Sequence, residues 1–222
     1  LAALLAVGVA AFAYGLSSDP QVTWLAFHTN FIYFAALSNG ALILLCAFVI
    51  VGAKWPGPLR HIAEGLAAWV PISFLLGCVG YFGGDYLFEW LREGAVHGKE
   101  AWLNAPRFYI TDLGVLAALG LLAMVFLKTT SRPLLGGGAA DSMTGFAKRM
   151  ADGWTTNWRG DREEIEAAHA KLAKLSPVIV ILFAMGFSVF IFDQVKFKSD
   201  ISGSMFKIFS EQGSWMTGAD VE

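Results

Sequence analysis

The chain has 222 residues, of which 56% are hydrophobic and only 15% are charged. Soluble domains carry about 25% charged residues, so a chain with a mean hydropathy of +0.56 is expected to be an integral membrane protein. The net charge of −2 and the lack of a basic patch interleaved with aromatic residues give no indication of nucleic-acid binding. Cys46 and Cys78 lie inside apolar runs, which predicts small core residues rather than a disulfide or a metal site.

Five apolar runs are candidates for membrane-spanning helices, each of which needs about 20 apolar residues to cross the hydrocarbon. They cover residues 1–16, 27–53, 59–82, 108–127 and 177–192. The first run begins at Leu1 without a methionine, so we expect the N-terminus to be incomplete or processed. The pattern predicts an all-α polytopic membrane helix bundle with about five transmembrane helices. A polar tail follows at 196–222.

The connections between these runs differ in character. Asp19-Pro20 marks a turn between the first two spans, and Pro71 is expected to kink the third. The connection at 128–176 is long, and we expect it to contain an amphipathic helix lying at the membrane interface. Asp161 and Glu164 resemble the capping box that would begin this helix, and Ser176-Pro177 would separate it from the fifth span.

The distribution of lysine and arginine predicts the orientation. The second and fourth connections hold most of these residues, and the positive-inside rule places such connections in the cytoplasm. The first and third connections then face the outer side.

Ionisable and amide side chains near or within the spans are the candidate functional residues, because such groups are costly at membrane depth. With the predicted orientation, one set gathers at the outer ends of spans two to five, Glu64 and His61 lie nearer the cytoplasmic end of span three, and Asn39 lies in mid-membrane. We therefore predict a polar route for protons, with Arg107 as a charge partner. The candidate proton-conducting residues are His28, Asn39, His61, Glu64, Asp85, Glu89, Asp112 and Asp193. The alternative interpretation is that these groups touch headgroups, water or each other.

Several cofactor motifs are absent from the sequence. It has no CxxC or CxxCH motif for an iron–sulfur cluster or covalent haem, and no phosphate-binding loop. The sequence also shows no inverted repeat of the kind that would indicate an independent transporter. Any redox cofactors are therefore expected in partner subunits.

Three segments resemble the NrfD-like (PsrC-type) membrane subunits, most closely the second NrfD-like subunit (ActF type) of alternative complex III. The matching residues are Arg60-His61-Ile62-Ala63-Glu64, Leu103-Asn104-Ala105-Pro106-Arg107-Phe108, and Ser176-Pro177 through Phe192-Asp193. The resemblance covers residues 24–193. The resemblance implies that residues 1–16 form a flanking transmembrane helix and residues 24–195 the first four-helix bundle. The family continues into a second four-helix bundle, whereas this chain departs from the family pattern after Asp193.

The resemblance implies a multi-pass subunit of a quinol:cytochrome c oxidoreductase in the bacterial inner membrane. Such a subunit scaffolds the complex, is a candidate for proton conduction and binds no redox cofactor itself. Quinol, iron–sulfur clusters and haem c would belong to partners: a sister NrfD-like subunit, an iron–sulfur subunit and a multihaem cytochrome c, with lipids around them. Two alternatives stay open, a purely structural membrane anchor and a PsrC-like subunit that binds quinone directly.

Overall fold

The computed structural model describes residues 2–53, 55, 57–88, 104–157, 160 and 162–196. All regular structure in these residues is helical. In chain order the α-helices are α1 (Ala2–Ser18), α2 (Pro20–Val51), α3 (Gly57–Ala67), α4 (Val70–Gly80), α5 (Gly84–Leu87), α6 (Ala105–Gly136), α7 (Gly145–Thr155), α8 (Arg162–Leu182) and α9 (Ser188–Ile191). Short 3₁₀ turns occur at Tyr81–Gly83 and Ala139–Ser142, and π-helical turns at Phe183–Phe187 and Phe192–Lys196.

Four helical stretches are long and apolar enough to cross a membrane. They are Pro20–Val51, Gly57–Leu87, Ala105–Gly136 and Glu164–Gln194, each 31 or 32 residues long. At about 1.5 Å per residue, such a helix exceeds the roughly 30 Å of bilayer hydrocarbon and extends beyond it. The first predicted span corresponds to α1, which is apolar but shorter than these four.

Large apolar side chains cover the outside of these helices. Leu75, Leu121 and Ile181 are 60 or 61% exposed, as expected of helices whose outer surface faces lipid rather than water. The prediction of an all-helical protein with several apolar helices that could span a membrane is therefore confirmed. Both cysteines are free, and Cys46 is buried whereas Cys78 is half-buried.

The boundary between α1 and α2 follows from local capping. The Asp19 carboxylate accepts a hydrogen bond from the Val22 N–H at 3.1 Å, and Pro20 occupies the first helical position, where its missing N–H costs nothing. The predicted turn is therefore a single residue, and α2 begins seven residues before the predicted span at Phe27.

The third span is interrupted as Pro71 predicts. Helix α3 ends at Ala67 and α4 begins at Val70, so the break lies immediately before the proline.

The long connection differs from the prediction at both of its ends. Helix α6 does not end at the predicted limit, Leu127, but continues to Gly136. The residues after Leu127 are more polar, so hydropathy does not identify them as part of the span although they are helical. Pro177 lies inside α8 and does not separate two helices. Ile165 and Leu175 therefore belong to the same helix as the fifth span, and the separate interfacial helix predicted there is wrong. Asp161, half of the predicted capping box, lies outside the described residues.

A separate amphipathic helix occurs earlier in this connection, at α7. Phe146, Met150 and Trp154 follow one another at intervals of four residues and share a face, while Lys148 and Arg149 lie off it. Phe146 is 76% exposed. Arg132 of α6 contacts the end of α7 and the start of α8: it donates a hydrogen bond to the Thr156 carbonyl at 3.2 Å and forms a 2.7 Å ion pair with Glu164.

The chain divides into two compact units. Unit 1 contains the described residues within 1–32, 76–114 and 188–222, and unit 2 contains those within 33–75 and 115–187. Unit 1 has an aromatic core of Trp24, Phe88 and Phe108 with Leu87. Unit 2 brings α4 close to α6, where a Cβ on Gly120 would lie 3.3 Å from the Pro71 Cα.

Candidate functional site

The first polar cluster, in unit 1, begins with an ion pair between Arg107 and Asp193. The Arg107 Nη2 lies 2.9 Å from the Asp193 Oδ2. Asp193 is fully buried, whereas the Arg107 side chain keeps 21% of its exposure. Asn104 fixes the start of α6 by accepting the Arg107 backbone N–H at 2.8 Å, so an N-cap positions the arginine that meets the aspartate.

Asp112 joins the same cluster through Gln194. The Gln194 amide donates a hydrogen bond to the Asp112 Oδ2 at 2.6 Å, and Asp112 is only 2% exposed. Asp193 and Gln194 are consecutive residues of the π-helical turn Phe192–Lys196, which is why one turn can serve both Arg107 and Asp112. Single π-helical turns inside α-helices are frequent at functional sites.

His28 completes this cluster from α2. Its Nε2 lies 3.3 Å from the Gln194 carbonyl oxygen, and the side chain is 4% exposed. The imidazole also packs edge-on against Phe88, with ring centroids 5.6 Å apart. Segments far apart in the sequence therefore bring His28, Arg107, Asp112 and Asp193 together, and Gln194 connects them.

Both aspartates of this cluster keep hydrogen-bonding capacity. Among the described residues, nothing donates a hydrogen bond to the buried Oδ1 of Asp112 or to the buried Oδ1 of Asp193. A buried polar atom without a donor is costly, so such an atom in a native protein indicates a group that binds a proton, a water or a ligand.

The second polar cluster, in unit 2, is centred on Glu64. Its Oε1 accepts hydrogen bonds from the Arg60 Nε and from the Thr130 hydroxyl, each at 3.1 Å. Its Oε2 lies 3.3 Å from the His61 Nδ1, and Arg60 also donates to the Thr130 hydroxyl. Spacings of three and four residues on α3 place these three charged or titratable groups on one face. The Glu64 carboxylate is therefore held by three partners.

Asn39 is buried on α2 within unit 2. Its amide donates to the Ala35 carbonyl at 2.8 Å, one helical turn earlier, while its Oδ1 accepts no hydrogen bond within the described part of the chain.

The remaining candidates are placed differently. Asp85, on α5, is exposed, and His61 has a side chain that is 61% exposed despite its contact with Glu64. Glu89 lies outside the described residues. Within the described ranges, no group of three or more histidine, cysteine, aspartate or glutamate side chains could hold a metal ion.

Sequence reasoning missed two members of these clusters, Gln194 and Thr130. Both are uncharged, so a search for ionisable groups at span ends passes over them. Arg60 was named as part of the NrfD-like motif and not as a site residue, although its i,i+4 spacing to Glu64 predicts the ion pair that is observed.

Comparison with known proteins gives little support for a family. No protein-family model and no solved structure matches the chain. A match of 33 residues, 15% of the chain, is 82% identical to a glutamine synthetase of Pseudomonas taetrolens. A match of the same length is 85% identical to the glutamine synthetase of Pseudomonas aeruginosa. The matches span 7% of the length of each of these enzymes, too little to assign the chain to their family.

Proposed function

We propose that this protein is a membrane subunit of a quinol-oxidising electron-transfer complex of the alternative complex III type, in a bacterial inner membrane. It scaffolds the complex and exchanges protons through the buried cluster of unit 1. The family and the complex are inferred from the NrfD-like sequence motifs. The proton-exchange role rests on one observation: Asp112 and Asp193 are both buried in one cluster, where Asp193 is ion-paired with Arg107 and Asp112 accepts its hydrogen bond from the neutral Gln194 amide.

The charge balance of this cluster supports proton exchange. Asp112 is buried and its hydrogen-bond donor is a neutral amide, and a buried charge without a compensating partner is costly. The cluster is more stable when one carboxyl group carries a proton. Asp112 is the natural carrier, because its contact is with the neutral Gln194 amide whereas Asp193 is paired with Arg107.

His28 offers a second proton-binding group in the same cluster. An imidazole exchanges protons near neutral pH more readily than any other side chain. In this proposal, protons released by quinol oxidation pass through His28 and Asp112, while electrons pass to iron–sulfur and haem c groups in partner subunits. Glu64 and His61 form a separate proton-exchanging pair in unit 2, and Asn39 offers a hydrogen-bonding group on α2.

The proposed membrane arrangement follows from the same sequence features. Helix α1 flanks a bundle of four spans, and the basic residues of the connection after α6 face the cytoplasm. We assign the interfacial position to α7, because its apolar face carries the exposed Phe146 and its other residues include Lys148 and Arg149.

The test uses the complex isolated from native membranes and returned to vesicles. Asp112→Asn is expected to lower proton-coupled quinol oxidation at least about tenfold, since losing a proton-transfer group costs rates of this order or more. Asp193→Asn should lower it as well, because it removes the carboxylate that is paired with Arg107 and so changes the charge beside Asp112. Asp152→Asn, an exposed position on α7, is the matched control and should leave turnover unchanged.

Two results would contradict the proposal. Unchanged turnover and proton stoichiometry in both variants would remove the proton-exchange role and leave a structural anchor. If mass spectrometry of the isolated complex finds no multihaem cytochrome and no iron–sulfur subunit, the proposed class of complex is rejected.

A further inference from the structure

We propose that unit 2 carries a binding site for a membrane phospholipid, with the headgroup phosphodiester at Arg60 and an acyl chain in an adjoining apolar cavity. This inference is independent of quinol oxidation and of proton exchange. It rests on two neighbouring cavities, one of which is lined by more polar side chains than the other.

The first cavity is the more polar of the two and has a volume of about 510 Å³. Its walls include the guanidinium of Arg60, the imidazoles of His61 and His169, and the hydroxyl group of Ser131. These side chains are the donors that bind phosphate oxygens, and an arginine supplies two parallel N–H groups for that purpose.

The second cavity is apolar and has a volume of about 370 Å³. Leu45, Phe48, Val49 and Phe126 contribute to its walls. Ala53, Arg60, His169 and Leu172 line both cavities, so the two adjoin each other. A more polar cavity joined to a more apolar one fits a molecule with a polar head and a hydrocarbon chain, whereas a free anion would leave the second cavity unfilled.

The helix ends place the polar cavity at headgroup level. Helix α2 ends at Val51, α3 begins at Gly57, and α6 ends at Gly136, so Arg60, Thr130 and Ser131 all lie within the terminal turns of long apolar stretches. The hydrocarbon is shorter than these helices, and their ends therefore lie among lipid headgroups. Basic pockets between spans bind anionic headgroups at this depth.

The hydrogen bonds of Arg60 leave donors for a phosphodiester. A guanidinium carries five N–H groups, and within the described residues Arg60 uses them for Glu64 and Thr130 only. The one acidic group of the polar cavity, Glu64, is compensated by Arg60 and also accepts hydrogen bonds from Thr130 and His61. Its charge is therefore screened from a phosphate bound on the far side of the guanidinium.

Native mass spectrometry of the purified full chain in detergent tests the site. The probe is dioleoylphosphatidylglycerol, compared with dioleoylglycerol, which has the same chains without the phosphodiester. The wild-type protein is expected to retain one phosphatidylglycerol at least tenfold more strongly than dioleoylglycerol. Millimolar inorganic phosphate should leave the lipid bound, because it cannot fill the apolar cavity.

Two variants weaken opposite ends of the lipid. Arg60→Gln should reduce retention about tenfold by removing the phosphodiester contact, a loss consistent with one charge-assisted hydrogen bond. Ala173→Trp should reduce retention by filling the apolar cavity, which Ala173 lines from an exposed position on α8. Because Ala173 is exposed, this variant should fold even where Arg60→Gln does not.

The controls are matched to each variant. Arg149→Gln removes the same charge from an exposed site on α7, and Ala170→Trp adds the same bulk to α8 outside both cavities. Both should bind like the wild type. The proposal is overturned if dioleoylglycerol binds as strongly as the phospholipid, if inorganic phosphate displaces the lipid, or if Ala173→Trp binds as the wild type does.

Discussion

The polar clusters of unit 1 and unit 2 each place a carboxylate beside an arginine, but they balance charge in different ways. In unit 1, Arg107 pairs with the fully buried Asp193, and Asp112 lies in the same cluster with only an amide as its hydrogen-bond donor. In unit 2 the cluster is centred on one carboxylate, Glu64, which Arg60, His61 and Thr130 all contact. The Arg60 side chain is 38% exposed. The comparison teaches that an acidic residue in a span is a candidate for proton exchange when burial and local charge leave it uncompensated. An acidic residue that several partners hold, such as Glu64, is the weaker candidate.

Removing the arginine of unit 1 should have the largest effect. Arg107→Gln leaves Asp193 buried without its cation, and breaking a buried ion pair in this way costs about 3–5 kcal/mol. The midpoint of unfolding in a denaturing-detergent titration measures the loss. Arg149→Gln on the exposed side of α7 should change the free energy of unfolding by less than about 0.5 kcal/mol.

The double variant Arg107→Gln/Asp193→Asn sharpens this result. Removing both charges should recover a substantial part of the stability, since the cost of the single change comes from the uncompensated carboxylate. A double variant as unstable as the sum of the two single variants would show that the pair does not act as a unit.

A substitution in the aromatic core of unit 1 should have the second-largest effect on the free energy of unfolding. A Cβ on Gly83 would collide with the ring of Trp24, so Gly83→Ala should cost about 1–3 kcal/mol in the same titration. Gly80→Ala is the matched control in the same unit, because its Cβ would meet the Phe27 Cε1 at an ordinary 3.8 Å. Equal stability of the two variants would contradict the close packing around Trp24.

The cluster of unit 2 should show the smallest effect. Glu64→Gln keeps an oxygen for Thr130 and removes a charge from a partly exposed pair, so we expect a cost of about 0.2–1 kcal/mol. A double-mutant cycle with Arg60→Gln measures the interaction directly. A cost as large as that of Arg107→Gln would remove the distinction between the two clusters.

Much of the fold could be predicted from the sequence, because burial in a membrane requires long apolar helices. The breaks at Asp19 and before Pro71 follow from local chemistry that acts within one turn. The ends of α6 and α8 could not be predicted in this way. Hydropathy identifies the apolar part of a helix, whereas both helices continue through polar residues, and Pro177 is accommodated inside α8.

The candidate site shows the same division. His28, Arg107, Asp112 and Asp193 were singled out because charge at a span end is rare, and the structure places all four in one cluster. Gln194 carries no charge and gave no such signal. The exposure of Asp85 depends on how the short α5 is rotated, and four residues are too few for periodicity to fix that rotation.

Infrared spectroscopy of the purified protein tests the central claim most directly. We expect the wild type at neutral pH to show the carbonyl absorption of a protonated carboxyl group, and Asp112→Asn to lose it. Glu64→Gln should retain the band, because the compensated carboxylate of unit 2 is not its source. A spectrum without the band in the wild type, or a band that persists in Asp112→Asn, would contradict a proton held in the cluster of unit 1.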